Sequence, residues 1–174
     1  MAISAGCKPK PHAWAGKIVS PSQVVGGPRS LGQPGDFRLS NSRVRFVVQG
    51  LELSPGVPGD RAFAAFGGAL LDADLARPEE EQDPRTRGDG RDGLGEIFPT
   101  FFLQGLEPTA IEVLDDGSGG GYAHVRVTGK GNDFFTATKF INSLALGNGL
   151  QYVLDYRLGP EDDFLLMTAS IVNP

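Results

Sequence analysis

The stretch that decides the fold class runs Leu150-Gln151-Tyr152-Val153-Leu154-Asp155-Tyr156-Arg157-Leu158, turns through Gly159-Pro160-Glu161-Asp162-Asp163, and continues from Phe164 to Asn173. In its first half Leu150, Tyr152, Leu154, Tyr156 and Leu158 alternate with Gln151, Val153, Asp155 and Arg157. Successive side chains of a strand point to opposite faces, so one face is apolar and the other mostly polar. The second half alternates less cleanly. Leu165, Met167, Ala169 and Ile171 share one face, and Phe164, Leu166, Thr168, Ser170 and Val172 the other. A Gly-Pro-acidic connector between two such runs predicts a hairpin with a longer loop. A hairpin this apolar is unstable alone in water and needs a second sheet over it. The expectation is an all-β, antiparallel β-sandwich.

The composition agrees. A chain of 174 residues is read as one domain that buries roughly 70% of its unfolded surface. Gly 25, Pro 13 and Phe 11 supply frequent turns and a core, with few helix-forming runs. A formal net charge of −5 and a pI of about 5.0 argue against nucleic acid as a partner. No apolar run is long enough to span a bilayer. A single cysteine, Cys7, rules out an internal disulfide framework.

Working outward from the hairpin, other strands are legible. Phe37 to Leu39, a Ser40-Asn41-Ser42 turn and Arg43 to Gln49 form a tight hairpin, with Val44, Phe46 and Val48 inward and Arg43 and Arg45 solvated outside. Gly67-Gly68 introduces a short buried strand ending at Asp72 and Asp74. Residues 96–103, 109–115 and 122–128 continue the pattern, and Asp115 to Gly121 forms a flexible hairpin loop. Ala123, Val125 and Val127 face one side there, His124 and Arg126 the other. Thr136, Thr138, Phe140 and Ile141 tilt residues 134–146 toward strand over helix. Leu51 to Asp60 and the polar segment 76–95 read as surface loops. Residues 1–33 are an N-terminal tether with an edge segment, expected over 17–25, and 34–174 the sandwich domain. Trp14 is expected to pack on the domain's edge.

Ser4-Ala5-Gly6-Cys7, followed by Lys8-Pro9-Lys10-Pro11, resembles the lipobox and linker of a bacterial lipoprotein, with Ser4 where that family prefers Leu. The resemblance implies a lipidated Cys7, a membrane contact made only through that lipid, and a cell-envelope or extracellular location. The alternative is a free thiol in a terminal tail. The run Asn41 to Val48, the Gly67-to-Asp72 strand, and Tyr156-Arg157-Leu158 with Phe164 to Asn173 resemble the supersandwich of galactose mutarotase-like domains. Such domains occur in carbohydrate-active enzymes and in surface lipoproteins of soil-living and predatory proteobacteria. The resemblance implies more strands than this chain holds, hence a sandwich incomplete at its C-terminus, with further domains of the same protein downstream.

That family's acid–base chemistry uses histidines and a carboxylate at the anomeric centre. Here His12 lies in the tether and His124 alone on a strand, so no catalytic residue carries over. Asp72, Asp74, Asp89, Asp92 and Glu96 are the candidate metal set, for Ca²⁺, but their spacing matches no EF-hand loop and solvated loop charge is the favoured reading. Arg87-Gly88-Asp89 spells an adhesion tripeptide within a loop already built of Arg, Gly and Asp, and Gly117 to Gly121 lacks the Lys-Ser/Thr of a phosphate loop. The expected function is a non-catalytic surface or periplasmic domain, a scaffold or carbohydrate-binding module, with no required cofactor. The rival is the front part of a carbohydrate-active enzyme whose acid and base lie beyond Pro174.

Overall fold

The computed structural model describes residues 10–51, 67–77, 90–101, 104–133, 139–141, 144 and 150–172. Among them eight strands form two four-stranded antiparallel sheets, each joined in sequence order. The first sheet holds β1 (Trp14–Lys17), β2 (Phe37–Ser40), β3 (Val44–Val48) and β4 (Leu70–Leu75). The second holds β5 (Gln104–Asp116), β6 (Ala123–Asp133), β7 (Gln151–Leu158) and β8 (Leu166–Val172). The chain is an all-β sandwich.

The first half of the deciding stretch behaves as its pattern dictates, whereas all seven residues of β8 in its second half are exposed, not covered by a second sheet as expected. Tyr152, Leu154, Tyr156 and Leu158 of β7 are buried, and so are Ala123, Val125 and Val127 of β6. They meet Leu39, Val44, Phe46, Val48 and Leu70 of the first sheet in one core. Two groups pin the sheets together. Tyr156, fully buried, donates its hydroxyl to the Gly68 carbonyl at 2.7 Å. Gly68 has φ 75°, and a Cβ there would stand 2.8 Å from Val127 Cγ1, so only glycine brings that carbonyl so close. Asn41, in the β2–β3 turn, accepts from the Arg43 and Val44 amides and donates to the carbonyls of Gly159 and Asp162 in the β7–β8 turn.

The two sheets differ in how their outer faces are treated. On the first sheet, Val47 packs outward with Ile18, Val24 and Val25, while Leu71 and Ala69 pack with Leu31 and Phe98. The loops at 18–36 and 90–98 therefore form a second layer. Those loops are bonded down by aspartates. Asp36 accepts from the amides of Gln33 and Gly50. Asp72 accepts from those of Leu31 and Gly32 and from the Ser30 hydroxyl. Asp92 accepts from Ala73 and Leu94. The outer face of β6–β8 carries His124, Arg126, Asp155 and Arg157 together with the exposed apolar side chains of Leu166 and Val172.

Several expectations shift. The edge strand near the N-terminus is Trp14–Lys17, not 17–25, because Ala13 and Ala15 fit the core while Pro21 to Gln23 wind into a 3-10 turn. Trp14 lies over its own strand: a Cβ at Gly16 would strike its ring. Arg45 is buried, not solvated, and faces Asp74 at 3.8 Å and the Leu75 carbonyl at 3.1 Å. Residues 96–101 form isolated bridges, Ile97 with Leu70 and Phe101 with Gln104, in place of a strand. Within the 134–146 segment, residues 139–141 and 144 are helical where strand was expected, with Phe140, Ile141 and Leu144 exposed and not packed on a sheet face of the core; its other residues lie outside the described residues.

Candidate functional site

The outer face of β6–β8 gathers the residues best placed to meet a ligand. Antiparallel pairing sets His124 opposite Arg157 and Arg126 opposite Asp155. Asp155 is the hub. Its Oδ1 lies 2.6 Å from His124 Nε2 and 2.8 Å from Arg126 Nε, and its Oδ2 accepts from Arg126 Nη2 at 3.0 Å. Burial pushes the Asp155 carboxyl up, yet the hydrogen bonds and charges of Arg126 and His124 outweigh burial and hold it below the ordinary carboxylate range. An ionised carboxylate only accepts, so His124 Nε2 donates in this contact.

Beside this chain opens a groove of about 460 Å³ lined by Asp115, Tyr122, His124, Arg157 and Leu166. Each wall has a clear origin. Asp115 sits at an irregularity in the β5–β6 ladder and accepts from the Gly117 amide at 2.8 Å. Tyr122 leads into β6 from the turn that Gly117 starts at φ 82°, where a Cβ would run into the carbonyl of Ala13, just before β1. Tyr122 is 54% exposed, a large aromatic surface at the groove's mouth. Arg157 and Leu166 are cross-strand partners on β7 and β8. The groove thus combines an open aromatic ring, an apolar side chain, a carboxylate, a guanidinium and an oriented imidazole.

The acidic set marked in the sequence is deployed differently. Asp72 and Asp92 are fully buried, and burial is the first cause raising both above the ordinary Asp range. Asp74 is pushed up by burial but pulled lower by hydrogen bonds from Arg77 and from the Arg91 and Leu75 amides. These oxygens are taken up mostly by backbone N–H groups of the loops they anchor. Asp92 Oδ2 is the exception: buried, with no hydrogen-bond partner among the described residues. Glu96 is half-buried on the 90–98 segment. Among the described residues no three His, Cys, Asp or Glu side chains form a set that could hold a metal ion. Asp89, the tripeptide at 87–89 and Cys7 lie outside the described residues. His12 is exposed, remote in sequence from the groove.

Sequence reasoning missed Asp155 as a hub and the His124–Asp155 contact. The outward His124-x-Arg126 and Asp155-x-Arg157 pairs were visible, but the β6–β7 register was hidden by the long segment between them. Fold and face together define an all-β sandwich with one covered and one grooved outer face. In comparisons with family models, curated proteins and solved structures, the chain matches none.

Proposed function

We propose that this protein is a non-catalytic binding module that takes a carbohydrate in the groove on the outer face of β6–β8. The observation that carries this is exposed Tyr122 standing beside Asp115, His124 and Arg157 on a rigid sheet. A sugar ring has an apolar C–H face and a polar rim of hydroxyls. An aromatic ring meets the first, while planar side chains with fixed donors and acceptors meet the second. Preorganisation supports binding: Arg126 and His124 are already spent on Asp155, so the face needs little ordering when a ligand arrives. The sequence likeness to galactose mutarotase-like sandwiches points toward the same ligand class. Attachment to a cell envelope through Cys7 belongs to the same proposal, supported by the lipobox-like residues 4–7.

The rival reading is acid–base chemistry on a sugar, favoured by the 2.6 Å His124–Asp155 contact, the geometry of an oriented general base. Glycoside hydrolysis also needs a carboxylic acid that is protonated at the start of the reaction. Asp155 is held ionised, which favours binding over hydrolysis.

A glycan array on the purified chain, repeated with Tyr122→Ala and Arg157→Ala, tests this. Glycans retained by the native protein and lost by both variants, with unchanged melting temperature, are expected. No retained glycan, or retention indifferent to both substitutions, overturns the proposal. Turnover of a retained glycan that stops in His124→Gln would establish the rival.

A further inference from the structure

We infer that β8 is a self-pairing edge, across which two copies of this chain join antiparallel about a two-fold axis at Ala169. Sheet edges offer unpaired backbone donors and acceptors, and proteins blunt them with charge, proline, bulges or short length. Three of the four edges here are blunted. The β1 strand has four residues and ends in Lys17. The β4 strand carries Asp72 and Asp74. The β5 strand contains Pro108, four acidic residues and two irregularities in its ladder. By contrast β8 reads Leu-Met-Thr-Ala-Ser-Ile-Val, with no charge, no proline and an unbroken register against β7.

All seven β8 residues are exposed, and among the described residues no strand pairs with its outer side. Met167 and Ile171, on the core-facing side of the sheet, keep 36% and 41% of their surface in solvent. Water is a poor partner for such a strand. A second copy is a good one, because the strand is complementary to itself. Residues directly opposite in an antiparallel pair share a face, so a two-fold must pass through a residue position, not between two. With the axis at Ala169, Leu166 faces Val172 of the second copy, Met167 faces Ile171, Thr168 faces Ser170, and Ala169 faces itself. Every apolar side chain meets an apolar one and every hydroxyl a hydroxyl. Shifting the register by two residues in either direction breaks this, setting Leu166 against Ser170 or Thr168 against Val172.

Charge supports the same occupant. Each copy carries −5, so association anywhere along an acidic edge sets like charges together, whereas β8 brings two neutral strands into register. The result is one continuous eight-stranded sheet closed by symmetry, with both outer faces on the same side. Leu166, a wall of the groove, then abuts Val172 of the second copy, so the two grooves lie on one surface. This inference does not depend on what the groove binds.

Sedimentation velocity of residues 1–174 over a wide concentration range tests it, with the exposed Ala169 as the site of perturbation. A monomer–dimer equilibrium is expected for the native chain. Ala169→Lys and Ala169→Glu, each placing two like charges on the axis, should dimerise at least about tenfold more weakly with unchanged circular dichroism. An equimolar mixture of the two variants should recover the dimer, since opposite charges then meet. A native chain that stays monomeric throughout overturns the inference, as do assemblies larger than a dimer, or variants that associate as well as the native chain. Mixed variants that stay monomeric also overturn it, because the axis then lies elsewhere.

Discussion

Replacing Tyr156 with phenylalanine removes one oxygen and leaves the ring, the strand and the core volume intact. The hydroxyl is fully buried and gives its hydrogen to the Gly68 carbonyl at 2.7 Å, across the space between the sheets. Burial pushes the phenol well above its ordinary range, so it is a neutral donor at every pH of interest. Without it, a buried main-chain carbonyl loses a partner that water cannot replace, a cost of about 1–3 kcal/mol. For a chain of this size a loss near 2 kcal/mol lowers the melting temperature by about 4–8 °C. Tyr152→Phe is the internal control. Its hydroxyl reaches Gln104 Oε1 at only 3.5 Å, a weak bond at best, so its loss should cost under about 1 kcal/mol. Urea unfolding of both variants, read by fluorescence and circular dichroism, measures the difference at constant slope. Equal effects, or a Tyr156→Phe variant within about 0.5 kcal/mol of the native protein, would refute the idea that this bond ties the sheets.

Two further predictions concern aspartates. Asp72→Asn should destabilise by about 1–3 kcal/mol, because an amide nitrogen cannot accept from Gly32 and Ser30 or from Leu31. Asp92→Asn keeps one acceptor for Ala73 and Leu94 and removes a buried charge whose Oδ2 has no partner among the described residues, so thermal unfolding at pH 7 should show a gain. The Asp92 carboxyl titrates above the ordinary 3.8 in the folded chain, so that gain should shrink as pH falls toward 3.8. A loss in both variants, with native protein stabilised by added Ca²⁺, would instead favour a cation at the acidic loops. Asp155 has the opposite sign. Its folded value lies below 3.8, so its contribution is complete above that pH and disappears as pH falls through the lower value. Asp155→Asn should therefore be less stable than native protein at pH 7, and the gap should close under acid below 3.8. A constant gap across that range would contradict the ion-pair account of the hub.

The sandwich was legible because period-two patterns survive without knowledge of partners. Leu150 to Leu158 and Ala123 to Val127 announced their inner faces, and those faces form the core. Where residues answer to a layer above them, the pattern misleads. Arg45 looks solvated on a strand read alone, yet in the fold it is buried and faces the Asp74 carboxylate and the Leu75 carbonyl. Asp72, Asp74 and Asp92 look like a cation set because carboxylates and backbone-capping aspartates have the same composition. Their roles separate once the Leu31, Gly32 and Ala73 amides are in place. The groove was illegible for a related reason. His124, Arg126 and Asp155 are ordinary polar alternations until the β6–β7 register aligns them, and the two strands lie too far apart in sequence for their register to be read from a short turn.

The most direct test of the central claim, that the outer face of β6–β8 is the ligand surface, is an amide chemical-shift map of the isotope-labelled chain titrated with the glycans an array retains. Perturbations confined to Asp115, Tyr122, His124, Arg157, Leu166 and their strand neighbours are the predicted result. Shifts centred on the 18–36 and 90–98 layer of the other sheet, with the groove residues unmoved, would contradict it.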